Sequence, residues 1–392
     1  MKVSVLDYLK RLVKWDSKLE IYTNGIDNAY PERMERLKNN SVTSKTASNI
    51  MVQYLLGKGF GEADKVMVGK NLKLIDFAED VAEDIVDQKG FFVHVNYNLN
   101  YEISSLKVLP FNSCRLGKKD SDKYNGKILI KEDWSDAKEV AKVIDVYNPK
   151  KDVLEAQINE AGSIDKYKGQ VLYYNIDNKY YYPLSRIDAV QNDCDSEAQA
   201  SVYKNQLLRK GFFGKTLVVM PPLVDDTIQE HIYIDGKQTI NPEYQHLRSE
   251  ADKTKATIEE FIGAENAGGA MLMEMEFAGD DIEKTILFKN IESNLEPDLF
   301  KNVEESVREN ILIAYNNLPI DLVKVSSGLS NSGEAVLQNK LMYQENTTKE
   351  RNILEKVVND LMKRFDGYNG EYLTIKKLVD DTTDRQDGST EV

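Results

Sequence analysis

The stretch GFFGKT, Gly211 to Thr216, ends with the Gly-Lys-Thr of a phosphate-binding loop. Such a loop holds phosphate with backbone N–H groups and a lysine. It needs a glycine five residues before its Gly-Lys pair and lies between a strand and a following helix. Arg209 stands in place of that glycine, and the flanking patterns predict a helix before the stretch and a strand after it. We therefore interpret GFFGKT as a helix end followed by a strand, and a nucleotide-dependent enzyme remains a minor alternative.

Two other stretches carry residue types that do chemistry. GKGFG, Gly57 to Gly61, resembles part of a dinucleotide fingerprint but follows a helical pattern, which favours a helix cap and turn. DVAEDIVD, residues 80–87, offers carboxylates for a metal ion, although a solvated acidic helix face is the favoured interpretation. The three histidines and two cysteines have no zinc-like spacing. The sequence thus predicts a protein that is not an enzyme, with no cofactor and no metal.

The charge of the chain restricts its partners. The 392 residues carry 65 acidic against 51 basic side chains, a net charge of −14. Tight binding to nucleic acid comes from neutralising phosphates, so this balance argues against a conventional DNA-binding protein. The first twenty residues lack the apolar core of a signal peptide, and no run of 18 apolar residues predicts a membrane span. Two cysteines favour a reducing compartment.

The hydrophobic periods predict an α+β chain. Helical spacing covers residues 32–56, with Ser44 as the predicted N-cap and Gly57 or Gly59 as the predicted C-cap. It covers residues 71–90 again, where the side chains predicted to face inward are Leu74, Ile75, Phe77, Ala78, Val81, Ala82, Ile85 and Val86. A period of two then predicts a sheet over residues 91–182, which ends in a hairpin turning at Asp177-Asn178. A helix to Gly211 follows, then an inserted unit over residues 216–288 with strands, a hairpin at 231–240 and a helix. The next helix carries apolar residues at four-residue steps: Leu295, Leu299, Val303, Val307 and Ile311.

One segment fits no regular element. Between Leu318-Pro319 and Gly333-Glu334 lie about a dozen residues that predict neither helix nor strand. Loops of this length in compact domains are usually functional or disordered. The helix that follows, residues 334–366, has no large apolar side chain between 344 and 352, which predicts that it is kinked or exposed there.

The order of these pieces resembles the portal proteins of tailed bacteriophages, over about residues 20–366. The resemblance rests on DNAYPERMERLKNN near the start, LKVLPFNSCRL, and YYYPLSRIDAV leading to GFFGKTLVVMPP. It also rests on EEFIGAENAGGAMLMEMEF, where Gly263, Asn266 and Ala267 fill a Gly-x-x-Asn-Ala turn. A further match is the helix, Leu-Pro, Ser/Gly/Asn-rich loop and long helix of residues 307–365, where this chain lacks the proline that family members often have near the kink.

The resemblance implies a portal-like α+β fold with a wing of helices and sheet, a two-helix stem, a small α+β clip, a long kinked wing helix, and little or no crown. The implied domains are a wing at 1–190, a first stem helix at 191–215, a clip at 216–290, a second stem helix at 291–317, a tunnel loop at 318–333, the long wing helix at 334–366 and a short, partly disordered tail at 367–392.

The resemblance also implies a function. The chain would form a ring, usually of twelve copies, at one capsid vertex of a virion assembled in the host cytoplasm. Double-stranded DNA would pass through the ring without sequence-specific binding, during packaging and ejection. The implied partners are further copies of the chain, the major capsid protein, the terminase large subunit and a head–tail adaptor, with no membrane. The alternative is another phage virion structural protein, such as an adaptor or baseplate component.

Two sets of site residues follow from that function. The tunnel loop would face the DNA, and it comprises Val323, Lys324, Val325, Ser326, Ser327, Gly328, Leu329, Ser330 and Asn331. Four acids of the second stem helix would line the channel and repel phosphate: Glu296, Glu304, Glu305 and Glu309.

Overall fold

The computed structural model describes residues 15–16, 20–119, 121–136, 138–210, 215–220, 228–234, 237–259, 270–274, 287–291, 297–323 and 333–379. The chain is α+β, as predicted. It divides into two compact units, and the sequence of the second lies within that of the first. The larger unit comprises Met1–Asp195 and Arg308–Val392, and the inserted unit comprises Ser196–Val307.

The described helices, in chain order, are α1 (Tyr30–Asn40), α2 (Val42–Leu56), α3 (Leu74–Gln88), α4 (Lys151–Ala161), α5 (Gln191–Lys210), α6 (Pro242–Glu259), α7 (Pro297–Ala314), α8 (Ile320–Val323), α9 (Gly333–Asn346) and α10 (Thr348–Met362). Short 3₁₀ turns lie at Gly61–Lys65, Phe111–Ser113 and Arg186–Val190. None of the described helices is long and apolar enough to cross a membrane.

The described strands are β1 (Trp15–Asp16), β2 (Ile21–Tyr22), β3 (Met67–Gly69), β4 (Leu72–Lys73), β5 (Gly90–Tyr97), β6 (Ile103–Leu109), β7 (Cys114–Leu116), β8 (Lys127–Ile130), β9 (Lys142–Val146), β10 (Gln170–Asn175), β11 (Lys215–Met220), β12 (His231–Ile234), β13 (Lys237–Ile240), β14 (Ala270–Glu274) and β15 (Leu287–Ile291).

Helix α3 is the centre of the larger unit. Its apolar residues recur at helical spacing, so they form one stripe that packs against α2, α10 and strand β5. All but Ile75 of the side chains predicted to face inward are fully buried: Leu74, Phe77, Ala78, Val81, Ala82, Ile85 and Val86. At about 25 cal/mol per Å² of apolar surface removed from water, such a stripe is a large part of the stability of the unit.

A mixed six-stranded sheet in the order β6-β5-β10-β9-β8-β7 completes the larger unit. Among the described strands of this sheet, β9 and β10 are the only pair that runs parallel. The sheet's core cluster contains Phe92, Phe111, Cys114, Ile128, Val171 and Tyr182. Both cysteines of the chain are buried and unpaired with each other.

The hairpin predicted at Asp177-Asn178 is wrong. Strand β10 ends at Asn175, and residues 176–185 form bends instead of a returning strand. Hydrogen bonds from the Asn175 side chain stand where the backbone hydrogen bonds of a hairpin were expected. Asn175 Oδ1 accepts from the backbone amides of Asp177 and Asn178, both at 3.1 Å, and Asn175 Nδ2 donates to the Tyr180 carbonyl at 2.7 Å. Asparagine is prone to such local turns because its short amide reaches neighbouring backbone groups.

The predicted N-cap of α2 is also misplaced. Ser41, not Ser44, is the cap, and its Oγ accepts from the Ser44 amide at 3.0 Å. The Ser44 hydroxyl instead lies 2.9 Å from the hydroxyl of Tyr315, far along the chain. Helix α2 ends at Leu56 with Gly57 as its C-cap, one of the two glycines predicted for that position, and the Gly57 amide donates to the Gln53 carbonyl at 2.9 Å.

Two glycines of GKGFG lie against the C-terminal segment. Gly57 and Gly59 both have positive φ, and a Cβ on Gly57 would lie 2.1 Å from the Lys376 carbonyl oxygen. Lys376 exchanges backbone hydrogen bonds with Lys58 and Gly59, at 2.8 and 2.9 Å. The glycines therefore allow a close chain approach, and GKGFG has a structural explanation.

The inserted unit contains a three-stranded sheet in the order β14-β11-β15, the predicted hairpin β12–β13 and helix α6. Strand β11 is parallel to β14 and antiparallel to β15. Strand β15 has no counterpart in the sequence analysis. In GFFGKT, residues 211–214 lie outside the described residues, but α5 precedes the stretch and β11 starts at Lys215, so the strand-to-helix order of a phosphate cradle does not occur.

Candidate functional site

Helices α5 and α7 contain the two points at which the sequence passes between the larger unit and the inserted unit, and side chains of the two helices are in contact within each unit. Asn310 donates from its Nδ2 to Asp193 Oδ1 at 3.3 Å, and Lys204 forms an ion pair with Glu304. Residues 191–215 and 291–317 were expected as stem helices, and helix covers 191–210 and 297–314 of them.

The predicted channel-lining acids differ in their surroundings. Glu305 and Glu309 are exposed, and because they are four residues apart they share one face of α7. Glu304 is half-buried and directed to Lys204 of the neighbouring helix. Glu296 lies outside the described residues. The described part of α7 thus presents two acids to solvent, with the half-buried Arg308 between them in the sequence.

The end of α7 is fixed by its sequence. Asn316 and Asn317 adopt left-handed φ angles of 57° and 56°, a conformation that asparagine tolerates better than most residues. The chain then turns back, so that the Leu318 amide donates to the Leu312 carbonyl at 3.0 Å. Tyr315 is fully buried beside Ser44, and burial raises the pKa of its phenol, which therefore stays neutral. The end of α7 is thereby held against α2.

Arg186 connects this helix end to two other helices. Its guanidinium donates to the Val86 carbonyl at the end of α3 (2.9 Å), to Asn316 Oδ1 (2.7 Å) and to Glu350 Oε1 on α10 (3.0 Å). The Arg186 side chain is only 4% exposed, and Glu350 13%. A buried charge with several charge-assisted hydrogen bonds holds its partners in one geometry.

The helix after the predicted tunnel loop is joined to the same place. Asn316 Nδ2 donates to the Asn346 carbonyl at 3.0 Å, and Asn346 Nδ2 donates back to the Asn316 carbonyl at 3.2 Å. Tyr343 donates to the Tyr315 carbonyl at 3.0 Å, and Asn339 donates to Asp321 at 3.1 Å. We call these contacts, with those of Arg186, the loop base. The chain on both sides of residues 324–332 is therefore held in one rigid cluster.

The predicted irregular segment is shorter than the sequence suggested. Residues Ile320–Val323 form helix α8, which starts directly after Pro319, a residue suited to the first turn of a helix. Val323, the first of the predicted loop residues, is therefore helical and half-buried. The other eight lie outside the described residues: Lys324, Val325, Ser326, Ser327, Gly328, Leu329, Ser330 and Asn331.

The long helix after the loop is interrupted without a proline, in the stretch where a kink was expected. Helices α9 and α10 are separated at Thr347. Its buried hydroxyl donates to the carbonyls of Tyr343 and Gln344, at 3.2 and 3.1 Å, and such bonds from threonine to the preceding turn bend helices. The region is not exposed as a whole, since Gln344, Thr347 and Arg351 are all buried.

Sequence reasoning missed several residues of the loop base. The pair Asn316-Asn317 before Leu318-Pro319 was a usable signal for a left-handed turn. Arg186 and Glu350 gave no comparable signal, because both lie in polar stretches where a charged side chain predicts solvent exposure.

Comparison with known proteins adds structural neighbours only. No protein-family model matches the chain, and no curated protein matches it. It is similar to a chain from the neck of a native gene transfer agent (GTA) particle computed with C12 symmetry, with 12% identity, a TM-score of 0.49, and coverage of 95% of this chain and 88% of that one. It is also similar to chains from the virion of the native GTA particle and from the neck of the empty GTA particle computed with C6 symmetry. Both have 13% identity, a TM-score of 0.48, and coverage of 90% of this chain and 85% of the neighbour. Sequence identities and TM-scores this low carry no argument about function. A proposal for the function of this chain therefore has to come from its own residues and geometry.

Proposed function

We propose that the chain is a phage virion structural protein and, more specifically, one subunit of a portal ring through which double-stranded DNA enters and leaves a capsid. The supporting observation is the loop base: a helix returning from the inserted unit ends in a buried cluster that also holds the second half of α9 and the start of α10. Residues 324–332 thus leave and re-enter the fold at a fixed place.

A fixed base is what a channel loop needs. Functional loops are usually carried by rigid scaffolds, which determine where the loop points while its tip remains free to adapt. Here the scaffold includes the buried Arg186–Glu350 pair and the buried Tyr315. The predicted loop carries serines and asparagine for weak, sequence-independent contacts, and Lys324 is its one basic residue, our candidate for a transient phosphate contact.

The net negative charge of the chain favours a protein that lets DNA pass through it, and not one that binds DNA tightly. DNA carries one negative charge per about 1.7 Å of its axis, and each tight phosphate contact would slow its passage. The chain carries −14, and a closed ring multiplies that charge. The exposed Glu305 and Glu309 on α7 would keep the duplex away from the wall.

The proposed assembly has the partners that the resemblance to portal proteins implies. Copies of the chain form the ring, with twelve as the expected number, and the ring contacts the major capsid protein, the terminase large subunit and a head–tail adaptor at one vertex of the virion. The chain itself performs no catalysis, and assembly takes place in the host cytoplasm.

Negative-stain electron microscopy of the purified chain tests the assembly. We expect closed rings with an axial hole and a stalk narrower than the rest of the particle. A monodisperse monomer at micromolar concentration contradicts the proposal. Discs or plates without a stalk would instead favour an adaptor or baseplate component.

A further inference from the structure

Residues 371–379, which we call the strap, lie along the larger unit without forming a helix or a strand. Seven backbone groups of the strap are hydrogen-bonded by the rest of this unit. Five of the bonds are made by side chains: Asn359 and Gln344 each hold the N–H and the C=O of one strap residue, and Glu355 accepts from a third N–H. The other two are backbone bonds to the turn that follows α2. The strap is therefore held through its backbone, as a bound peptide is held.

The side chains of the strap alternate between the unit and solvent. Leu373 and Ile375 are only 7% and 3% exposed, whereas the residue that follows each of them is exposed. Such alternation is typical of an extended chain that is bound on one face. Farther along, Lys377 Nζ lies 3.4 Å from Glu345 Oε1 on α9. The groove under the strap thus fits an extended segment with two apolar residues, two positions apart, and a lysine two positions after the second.

The strap is joined to a fixed point of the fold by a short connection. Ile103 at the start of β6 donates to the Arg364 carbonyl at 2.8 Å and accepts from the Asp366 amide at 2.9 Å, so the chain is anchored there. Residues 367–370 follow and are mostly exposed. Both glycines of this connection have positive φ, and a Cβ on either would meet nothing within 4 Å. Because glycine adopts many backbone conformations, the connection can redirect the strap without disturbing the anchor.

A second copy of the chain carries the same strap and the same groove. The groove contacts backbone groups, two apolar side chains and one lysine, so it binds a neighbour's strap as it binds its own. In a closed assembly every groove stays filled when each strap moves to the next copy, and the two arrangements differ only at the connection. Fully extended, the chain from Asp366 to Leu373 spans up to about 25 Å, which sets how far away a neighbouring groove can lie. The Lys377–Glu345 pair places opposite charges across a contact between chains that carry −14 each.

We propose that the groove under the strap is a contact site between copies of this chain, in which the strap of one copy lies in the groove of its neighbour. What the groove binds is an extended segment with the pattern Leu-x-Ile-x-Lys, residues 373–377. The proposal rests on the proposed function only because it needs an assembly of more than one copy. The exchanged strap links neighbouring copies with the same hydrogen bonds that otherwise hold it within one chain.

Two full-length variants with complementary changes test the exchange. Glu345→Gln removes the carboxylate of the groove and keeps the lysine of the strap, and Lys377→Arg does the reverse. The two side chains are 64% and 40% exposed, so both variants should fold. The variants are co-expressed in equal amounts, purified together and treated with a water-soluble carbodiimide, which joins an amine to a neighbouring carboxylate as an amide and takes up the water that is lost.

Neither variant can form the Lys377–Glu345 crosslink within one chain, so this crosslink reports exchange between copies. We expect mass spectrometry of the digested sample to find it at about a quarter of the wild-type yield, because random mixing brings an intact lysine to an intact groove in about one contact of four. The matched control is the pair Lys151 and Glu155, 3.9 Å apart and four residues apart in α4, which cannot exchange between copies. Co-expressed Lys151→Arg and Glu155→Gln should give only a background of that crosslink.

A Lys377–Glu345 yield no higher than this background overturns the exchange, and so does a crosslink from Glu345 to a lysine of a co-purified protein in its place. Native mass spectrometry of the same sample separates this proposal from the proposed function. Rings without the crosslink overturn the exchange alone, and a crosslinked dimer supports the exchange while it contradicts the ring. A monomer without the crosslink overturns both.

Discussion

Arg186 and Glu350, 164 positions apart in the sequence, form a buried ion pair with an Nη2–Oε1 distance of 3.0 Å at the point where α7 ends. Removing one partner of such a pair leaves an uncompensated buried charge, which costs about 3–5 kcal/mol. We therefore expect Arg186→Met to lower the free energy of unfolding by that amount in urea titrations. The matched control is Lys65→Met, which breaks an exposed pair with Glu62 and should change stability by about 0.5 kcal/mol or less. Similar effects of the two substitutions would show that the Arg186 pair does not hold the loop base.

Asp84 should make stability depend on pH. Its folded-state pKa lies above its ordinary value of 3.8, so the folded chain binds more protons than the unfolded chain above about pH 4. Its stabilising contribution is therefore full at low pH and is lost as the pH rises through the raised pKa. Asp84→Asn should gain stability relative to wild type as the pH rises above about 4, as measured by urea unfolding. Asp122→Asn should show no such trend, and a pH-independent difference for Asp84→Asn would contradict the assignment.

Two side-chain amides hold the C-terminal segment in place of a β-ladder. Asn359 accepts from the Leu373 amide at 2.7 Å and donates to the Leu373 carbonyl at 2.8 Å, and Gln344 does the same for Val379 at 2.9 and 3.0 Å. Asn359→Asp removes the donor and places a negative charge beside a carbonyl. We expect faster hydrogen exchange at the Leu373 amide in this variant. Asn352→Asp, at an exposed position of the same helix, should leave that exchange rate unchanged.

Gly57 should tolerate a side chain less well than Gly126. Both have positive φ, so alanine is strained at either position. A Cβ on Gly57 would also meet the Lys376 carbonyl, whereas a Cβ on Gly126 would meet nothing within 4 Å. Gly57→Ala should therefore destabilise by about 1–3 kcal/mol more than Gly126→Ala in thermal or urea unfolding. Equal losses would mean that the C-terminal segment does not lie against this turn.

Deleting Ser326 to Ser332 tests the proposed loop. Because the loop base lies entirely outside the deleted residues, we expect the variant to fold and to form rings of normal size. Capsids assembled with it should remain empty of DNA, as counted by electron microscopy. Normal filling by the variant would remove these residues from the proposed channel. The Lys65→Met variant serves as the control for handling and assembly.

The sequence predicted the elements whose pattern is repeated over many residues. The stripe of α3, from Leu74 to Val86, was placed almost completely, because each turn of the helix repeats the same apolar signal. The secondary-structure prediction failed where the hydrogen bonds of a single side chain end or interrupt a regular element. Asn175 ends a strand that periodicity alone would continue into a hairpin, and Thr347 breaks a helix where a proline was the expected signal.

Site residues were harder to predict than elements. The loop base depends on contacts between positions far apart, such as Arg186 with Glu350 and Ser44 with Tyr315. A single sequence carries no signal for such pairs, since each residue is ordinary in its own neighbourhood. Asp84 shows the same limit: the sequence favoured a solvated acidic face, but one oxygen of this carboxylate, Oδ2, is buried without a hydrogen-bond partner among the described residues.

The most direct test of the proposed function is a density map of the purified assembly viewed along its axis. The account predicts a closed ring in which Glu305, Glu309 and the segment after Val323 face a central channel wide enough for duplex DNA. A map that places that segment on the outer rim, or that shows basic side chains gripping nucleic acid, would contradict it.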